Sequence, residues 1–241
     1  LNIKNKLNNL NLKNCYKNLK VLVTGSTGFK GSWLCNWLNR FGAKVIGVGL
    51  RPESESILFK SLALEKKIFQ HYINIEDFNK INNLIKKEKP DIIFHLAAQS
   101  IVSESFTNPL GTIKTNTLGS TNVLNSVYKN KIENLVFITS DKCYLNVNTN
   151  RPYKENDFLG GHDIYSSSKA AAEIIFHSYH DSFFNLQSKN LSKVTARAGN
   201  VIGGGDFKIN RIIPDFFRSI FKKKKLLIRN PFATRPWQHV L

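Results

Sequence analysis

The sequence predicts an α/β fold, a doubly wound parallel sheet with helices on both faces. Short β-type runs alternate with helical patterns along most of the 241 residues. One run, Ile92-Ile93-Phe94-His95-Leu96, is apolar enough to be buried on both faces, and a glycine-rich turn separates the first run from the first helical pattern. Repeated βα units with such a turn imply parallel strands with crossover helices.

Lys20-Val21-Leu22-Val23-Thr24 is the first strand, broken at Gly25. Phe29 to Phe41 follows with Trp33, Leu34, Trp37 and Leu38 at helical spacing. Lys44–Val48 predicts the second strand and Ile68 to Ile75 a third. A helix is expected from Glu76 to Lys87, and Pro90-Asp91 introduces the strand at Ile92–Leu96. Leu110 to Lys129 predicts a helix, Leu135–Thr139 a strand, Tyr165 to about Ser182 a helix and Val194–Arg197 a strand. Helical segments continue past Arg211, and Leu226-Leu227-Ile228 predicts a further short strand. Asn146 to Asp163, rich in Asn, Gly and charge, predicts a long loop beside a site.

Composition narrows the class. Apolar residues make up 41% and charged residues 22%, and no apolar run approaches the length a membrane-spanning helix needs, so a globular, non-membrane protein is expected. The net charge of +18 would suit a nucleic-acid binder, but its distribution does not. Residues 1–20 hold five Lys and no acid, and residues 207–241 hold nine basic residues against Asp215 alone. The two ends thus hold most of the excess, and the stretch between has the mixed charge of an ordinary surface. No nucleic-acid partner is expected. Three cysteines, Cys15, Cys35 and Cys143, are an odd number without paired spacing, which indicates neither a disulfide framework nor a metal site and fits a reducing cytoplasm. No secretory signal is evident at the basic start. The absence of Met, with Leu at both ends, predicts a fragment or a reading frame with an alternative start.

Gly25-Ser26-Thr27-Gly28-Phe29-Lys30-Gly31 spaces three glycines by three, after a strand and before a helix. A side chain at this turn would keep a pyrophosphate from the backbone N–H groups and the positive end of the helix dipole. Alone, the triplet reads as an ordinary turn; in its strand-turn-helix context it predicts dinucleotide binding through Gly25, Thr27, Gly28, Phe29, Lys30 and Gly31. The acid that would bond a ribose 2′-hydroxyl after the second strand is replaced by Arg51. Arg51 could accept a 2′-phosphate and favour NADP, or be a solvated loop charge with Glu53 or Glu55 bending back to the ribose.

Tyr165-Ser166-Ser167-Ser168-Lys169 sets a phenol and an ammonium four residues apart at a helix start, on one face. A phenol with a pKa near 10 must drop by roughly three units to act as a base at neutral pH, which a neighbouring ammonium and a cationic ring can promote. Without further context the pair reads as a surface helix. Ser140 ends the strand Leu135–Thr139 at the carboxyl edge, where open α/β sheets place ligands.

Gly25–Gly31, Leu96-Ala97-Ala98, Asn116 with Gly119 and Asn122, Ser140 and the Tyr165/Lys169 pair together resemble the extended short-chain dehydrogenase/reductases that modify nucleotide sugars. Within them, Thr27–Leu34, Thr139-Ser140-Asp141-Lys142-Cys143-Tyr144, Arg197–Asp206, Arg229-Asn230-Pro231 and Arg235-Pro236-Trp237-Gln238-His239-Val240 are similar to the CDP-glucose 4,6-dehydratases. The resemblance runs from Lys20 to Leu241. It implies a basic polar leader at 1–19, an NAD-binding Rossmann domain at 20–198 and the incomplete start of a small C-terminal, nucleotide-sugar-binding domain at 199–241, since members continue beyond this point.

The implied reaction converts CDP-glucose to CDP-4-keto-6-deoxyglucose by transient oxidation at C4, loss of water across C5 and C6, and hydride return to C6. Tyr165 would take the C4 hydroxyl proton, Ser140 would bond that oxygen, and Lys169 would depress the Tyr165 pKa and hold the nicotinamide ribose. Asp141 would protonate the departing C6 hydroxyl, which needs a carboxylic acid kept protonated by burial. Lys142, where dTDP-glucose enzymes carry Glu, would take the C5 proton or stabilise the enolate. Ile75, Leu96, Ala97 and Ala98 are implied beside the cofactor, and Asn200 and Arg235 near the diphosphate, with Gln99 as a sugar contact. His95 reads as a satisfied core histidine. NAD is the expected cofactor because a redox cycle with no net reduction suits a retained coenzyme. A homodimer through the helices at 110–129 and 165–182 is implied. Another nucleotide-sugar 4,6-dehydratase, a 4-epimerase, an inactive dinucleotide-binding module and a basic interaction protein are the alternatives.

Overall fold

A computed structural model describes residues 12–52, 57–147, 149, 151–187, 192–228 and 230–241; Glu53, Glu55, Arg229 and the first eleven leader residues lie outside them. The order is α1 (Leu12–Tyr16), β1 (Lys20–Thr24), α2 (Phe29–Arg40), β2 (Lys44–Gly49), α3 (Ile57–Ser61), β3 (Phe69–Tyr72), α4 (Phe78–Glu88), β4 (Ile92–His95), α5 (Val102–Thr107), α6 (Pro109–Ile113), α7 (Ser120–Lys129), β5 (Asn134–Ile138), α8 (Ile164–Tyr179), β6 (Ser192–Ala196), β7 (Asn200–Ile202), α9 (Ile212–Phe221) and β8 (Trp237–His239). Strands β1 to β6 form one sheet in the order β3-β2-β1-β4-β5-β6, and every adjacent pair is parallel. This is the doubly wound Rossmann architecture that the βα alternation predicts.

The central strands carry continuous apolar runs because both faces are covered. Leu22, Ile46, Ile93, Leu135 and Phe137 face one layer, where they pack with Ile81 and Leu84 of α4, Val123, Leu124 and Val127 of α7 and Phe176 of α8. Val21, Val23 and Val45 face the other, against Cys35 and Leu38 of α2 and Phe59 of α3. Tyr16 and Leu19 also pack against this second layer, so the end of the basic leader lies on the domain.

Boundaries shift where caps decide. The helix expected from Glu76 starts at Phe78, because the Asp77 side chain accepts the Lys80 N–H at 3.1 Å and so terminates the helix. It stops at Lys89, whose φ of 47° is left-handed, ahead of Pro90. The expected third strand is shorter, Phe69–Tyr72. The helix read over Leu110–Lys129 is divided: between α6 and α7, Lys114–Gly119 is a π-helical segment. Leu226-Leu227-Ile228 forms no strand; Leu227 is 85% exposed and the segment pairs with no strand among the described residues. The two-stranded parallel β7–β8 pair, which joins Asn200 to Trp237 and Ile202 to His239, has no counterpart among the expected strands.

At the carboxyl edge, β1 and β4 are joined through a buried polar knot. Thr24 Oγ1 accepts the N–H groups of Leu96 and Ala97, each at 3.1 Å, so its own hydrogen goes to His95 Nδ1 at 2.8 Å. His95 is therefore the Nε2–H tautomer and donates to Ser120 Oγ at 3.0 Å. Burial, assisted by the Lys169 charge, lowers its pKa from 6.5 to about 3. A histidine held neutral when folded takes a proton first in the unfolded chain. Its contribution is complete above 6.5 and is lost as pH falls toward about 3. We expect stability to fall by up to about 1.4 kcal/mol per pH unit below 6.5 from this group, and a His95→Gln variant to show a shallower acid slope in urea unfolding measured at successive pH values.

Candidate active site

The site grows from the turn after β1. Gly25 has a φ of +75°, and a Cβ there would lie 2.8 Å from the Ala97 nitrogen. A Cβ on Gly31 would lie 2.0 Å from the Gly25 carbonyl oxygen, so this glycine lets α2 start against the turn. Gly28 differs. A Cβ there would meet only the Gly25 oxygen, at 3.3 Å, and the residue caps α2 without any side-chain bond. A methyl there would be tight against one backbone oxygen, a milder conflict than at Gly25 or Gly31, and an anionic group approaching the start of α2 adds a second reason for glycine. The cradle fits the pyrophosphate of a dinucleotide, and Gly25, Thr27, Gly28, Phe29, Lys30 and Gly31 all line one large cleft.

Arg51, Ile75, Leu96, Ala97 and Ala98 line the same cleft. So do Ser140, Asp141, Lys142, Tyr165 and Lys169, and Asn200 and Arg235. Gln99 does not. Its amide nitrogen donates to the Ile101 carbonyl and to Thr112 Oγ1, each at 3.0 Å, and its oxygen accepts the Ile101 N–H. Every polar atom of that side chain is engaged in holding the β4–α5 turn, which replaces the expected sugar contact. Asn116, turned inward by the π-helical segment, completes the arrangement: it accepts the Gln99 N–H at 2.8 Å and donates to the Gln99 carbonyl and to Ser168 Oγ, each at 3.0 Å. The turn after β4 is thereby tied to the Tyr165 helix.

Ser140 follows β5 and caps a 3₁₀ turn, Asp141–Cys143. Its hydroxyl donates to Asp141 Oδ1 at 3.1 Å and accepts the Lys142 N–H at 3.3 Å. Tyr165 lies at the start of α8, whose Asp163 cap accepts both the N–H and the hydroxyl of Ser166, at 2.9 and 2.7 Å. The phenol is 7% exposed. Burial pushes its pKa above the usual 10, opposed by a hydrogen bond with Ser140 and by the Arg211 charge; Asp141 and Asp163 push it further up. The net direction is upward because desolvation outweighs the contacts that favour the phenolate. Burial, helped by the Lys30 charge and opposed by Cys143 and Glu173, brings Lys169 down to about 8. Lys142 also lies below the ordinary lysine value, through burial and, to a lesser degree, Arg235, while Asp141 and Asp163 oppose. The direction is the one a base needs.

Behind these groups stands a buried ion pair that the sequence reading missed. Glu173, fully buried on α8, receives Arg197 Nε and Nη2, each at 3.1 Å, and the Thr139 hydroxyl. Arg197 lies 4.8 Å over the Tyr144 ring and donates to the Glu155 carbonyl at 2.9 Å. The pair joins the end of β6, α8, the turn carrying Asp141 and Lys142, and the loop beyond. The available signal was spacing: Glu173 follows Lys169 by four and Tyr165 by eight, on one helix face.

The chain matches the model of a family described as GDP-mannose 4,6 dehydratase over residues 22–241. The chain belongs to that family. It is 43% identical over 233 residues to the CDP-glucose 4,6-dehydratase of Salmonella typhimurium, covering 95% of this chain and 65% of the relative. It is 30% identical to the dTDP-D-glucose 4,6-dehydratase of Dictyostelium discoideum, covering 87% of this chain and 50% of that one. The chain thus spans between half and two thirds of these relatives' length. Among solved structures, the epimerase Mth375 from Methanothermobacter thermautotrophicus superposes with a TM-score of 0.80 at 27% identity, over 95% of this chain and 66% of that one. DesIV, a dTDP-glucose 4,6-dehydratase from Streptomyces venezuelae solved with NAD bound, shares the fold at a TM-score of 0.79 and 20% identity, over 91% and 68%. Among the described residues no helix is long and apolar enough to cross a membrane, and no cluster of three metal-ligating side chains is found.

Glu173→Gln would leave the Arg197 guanidinium, 11% exposed, with its charge uncompensated. We expect a loss of about 3 kcal/mol of stability, read from chemical unfolding.

Proposed function

We propose that this chain is the dinucleotide-binding and catalytic part of a CDP-glucose 4,6-dehydratase, with residues 199–241 the start of its nucleotide-sugar-binding domain and a cytoplasmic location. The observation that carries this reading is the gathering of Ser140, Asp141, Lys142, Tyr165 and Lys169 on the cleft that opens at the Gly25–Gly31 cradle. The 43% identity to the Salmonella enzyme supports CDP-glucose as the substrate.

NAD would be held by the cradle and by Lys169 and would supply a reversible hydride acceptor between C4 and C6 of the sugar. Tyr165 removes the C4 hydroxyl proton while Ser140 bonds that oxygen. Burial holds the phenol high, and the positive charge of a bound coenzyme would oppose that shift. The C4 carbonyl makes the C5 hydrogen acidic, and Lys142 in its neutral form takes that proton. Asp141 in its acid form delivers a proton to the C6 hydroxyl, which leaves as water; when hydride comes back to C6, Lys142 returns its proton to C5, so that over the cycle Asp141 is the net proton donor and Tyr165 the net acceptor. Asn200 and Arg235, on the same cleft, suit a diphosphate, Arg in a planar paired contact. An epimerase has no need of the Asp141-Lys142 pair opposite Tyr165, and this favours dehydration. Two copies pairing through the faces that expose Leu110, Leu118 and Ile174 complete the reading.

Incubating the purified chain with CDP-glucose and saturating NAD is expected to give a 4-keto-6-deoxy sugar, seen by its absorbance in alkali; no product would refute activity of the chain. Tyr165→Phe should abolish turnover and keep coenzyme binding. Gly28→Ala should keep the fold by circular dichroism and lose coenzyme binding by about tenfold or more, as its methyl enters the anion's place.

A further inference from the structure

The chain leaving β7 runs across the cleft. Gly203-Gly204-Gly205-Asp206 lines it together with Gly28, Phe29 and Lys30 of the cradle. A Cβ on Gly203 would come within 3.4 Å of the Phe29 ring, and Gly205, with a φ of +90°, sits where a Cβ would lie 2.7 Å from the Leu58 side chain of α3. This strap therefore passes over the first turn of α2, where the cradle fits a pyrophosphate, and reaches α3. Two bonds pin it. On the β1 side, Trp33 Nε1 of α2 donates to the Gly204 carbonyl at 2.9 Å. On the β4 side, Arg211 Nη2 donates to Ser100 Oγ at 2.8 Å. Asp206 keeps Arg211 aimed at Ser100, since its two carboxylate oxygens accept Nη1 at 3.1 and 3.0 Å. Strand order reverses between β1 and β4, so one pin stands on each side of the gap that forms the cleft. A Cβ on Gly204 would meet nothing within 4 Å, so the strap is loosely packed at the point where the indole holds it.

We propose that Gly203–Arg211 is a gate across the coenzyme cleft, held shut in the free chain by the Trp33–Gly204 and Arg211–Ser100 bonds, and that a dinucleotide passes only when these part. The proposal rests on the dinucleotide reading of the cleft. Both bonds are made before any coenzyme is present, and neither uses a donor of the Gly25–Gly31 backbone. They therefore slow entry and exit alike, and set how fast the coenzyme exchanges without setting how tightly it is held. Loss of one such bond favours the open strap by about fivefold.

Stopped-flow fluorescence of NADH tests this without reference to turnover. Mixing NADH with the purified chain gives the entry rate, chasing bound NADH with excess NAD⁺ gives the exit rate, and equilibrium titration gives Kd. Trp33→Phe removes the indole donor and keeps an aromatic ring; Ser100→Ala removes the other partner. Each should raise both rates by about fivefold and leave Kd within about twofold, and the double variant should raise both by about tenfold or more. Should Trp33→Phe fail to fold by circular dichroism, Ser100→Ala decides alone. Unchanged rates overturn the gate. So does a faster exit with an unchanged entry rate and a matching loss of affinity, which is the signature of a simple contact to the coenzyme; either result leaves the dinucleotide reading standing. No binding of NADH to the unmodified chain overturns both.

Discussion

The close approach of β1 to the end of β4 is the constraint on which the cleft depends. Strand order reverses at this pair, so the chain leaving β1 turns toward α2 on one side while the chain leaving β4 turns toward α5 on the other. The gap between the diverging turns is the cleft. A single hydroxyl, Thr24 Oγ1, binds both backbone N–H groups that follow β4, and the next residue has to be glycine because Ala97 leaves no room for a side chain. The same closeness that excludes a Cβ at Gly25 brings Leu96, Ala97 and the glycine cradle to one lip.

The second half of the site is held by charge buried on the opposite side. Tyr165, Lys169 and Glu173 descend one face of α8, and the first two line the cleft while Glu173 turns to Arg197. A buried ion pair of this kind costs desolvation and is weak evidence of added stability. Its consequence here is geometric: α8, β6 and the turn after β5 cannot shift independently while the bidentate contact and the Tyr144 stacking persist. Ser140 then meets Tyr165 at a position set by three elements.

The layered fold was legible because its central strands are apolar on both faces and its glycines fall where a strand hands over to a helix. The cradle, Ser140 and the Tyr165/Lys169 pair were legible because their chemistry resides in short strings at fixed spacing. Gln99 was misread: a polar residue at a strand end suits a ligand, and only the three-dimensional arrangement shows that Ile101, Thr112 and Asn116 engage its side chain and backbone. The π-helical insertion at Lys114–Gly119 leaves no mark on the apolar periodicity, since it arises from Asn116 reaching Gln99 and Ser168 in space. Spacing placed Glu173 on the Tyr165/Lys169 face of the helix, but its pairing was not legible, because Arg197 lies 24 residues away on a different element. Leu226–Ile228 shows the opposite failure, a β-type run that pairs with no strand among the described residues.

The thiols divide sharply. Cys35 and Cys143 have no exposed surface, and desolvation lifts both to about 12, which leaves almost no thiolate for an electrophile at neutral pH. Cys15, exposed on α1, stands apart from them. A maleimide dye would therefore tag the native fold at one defined point, beside β1 and away from the cleft, and the wild-type chain already carries its own attachment handle for distance or anisotropy spectroscopy.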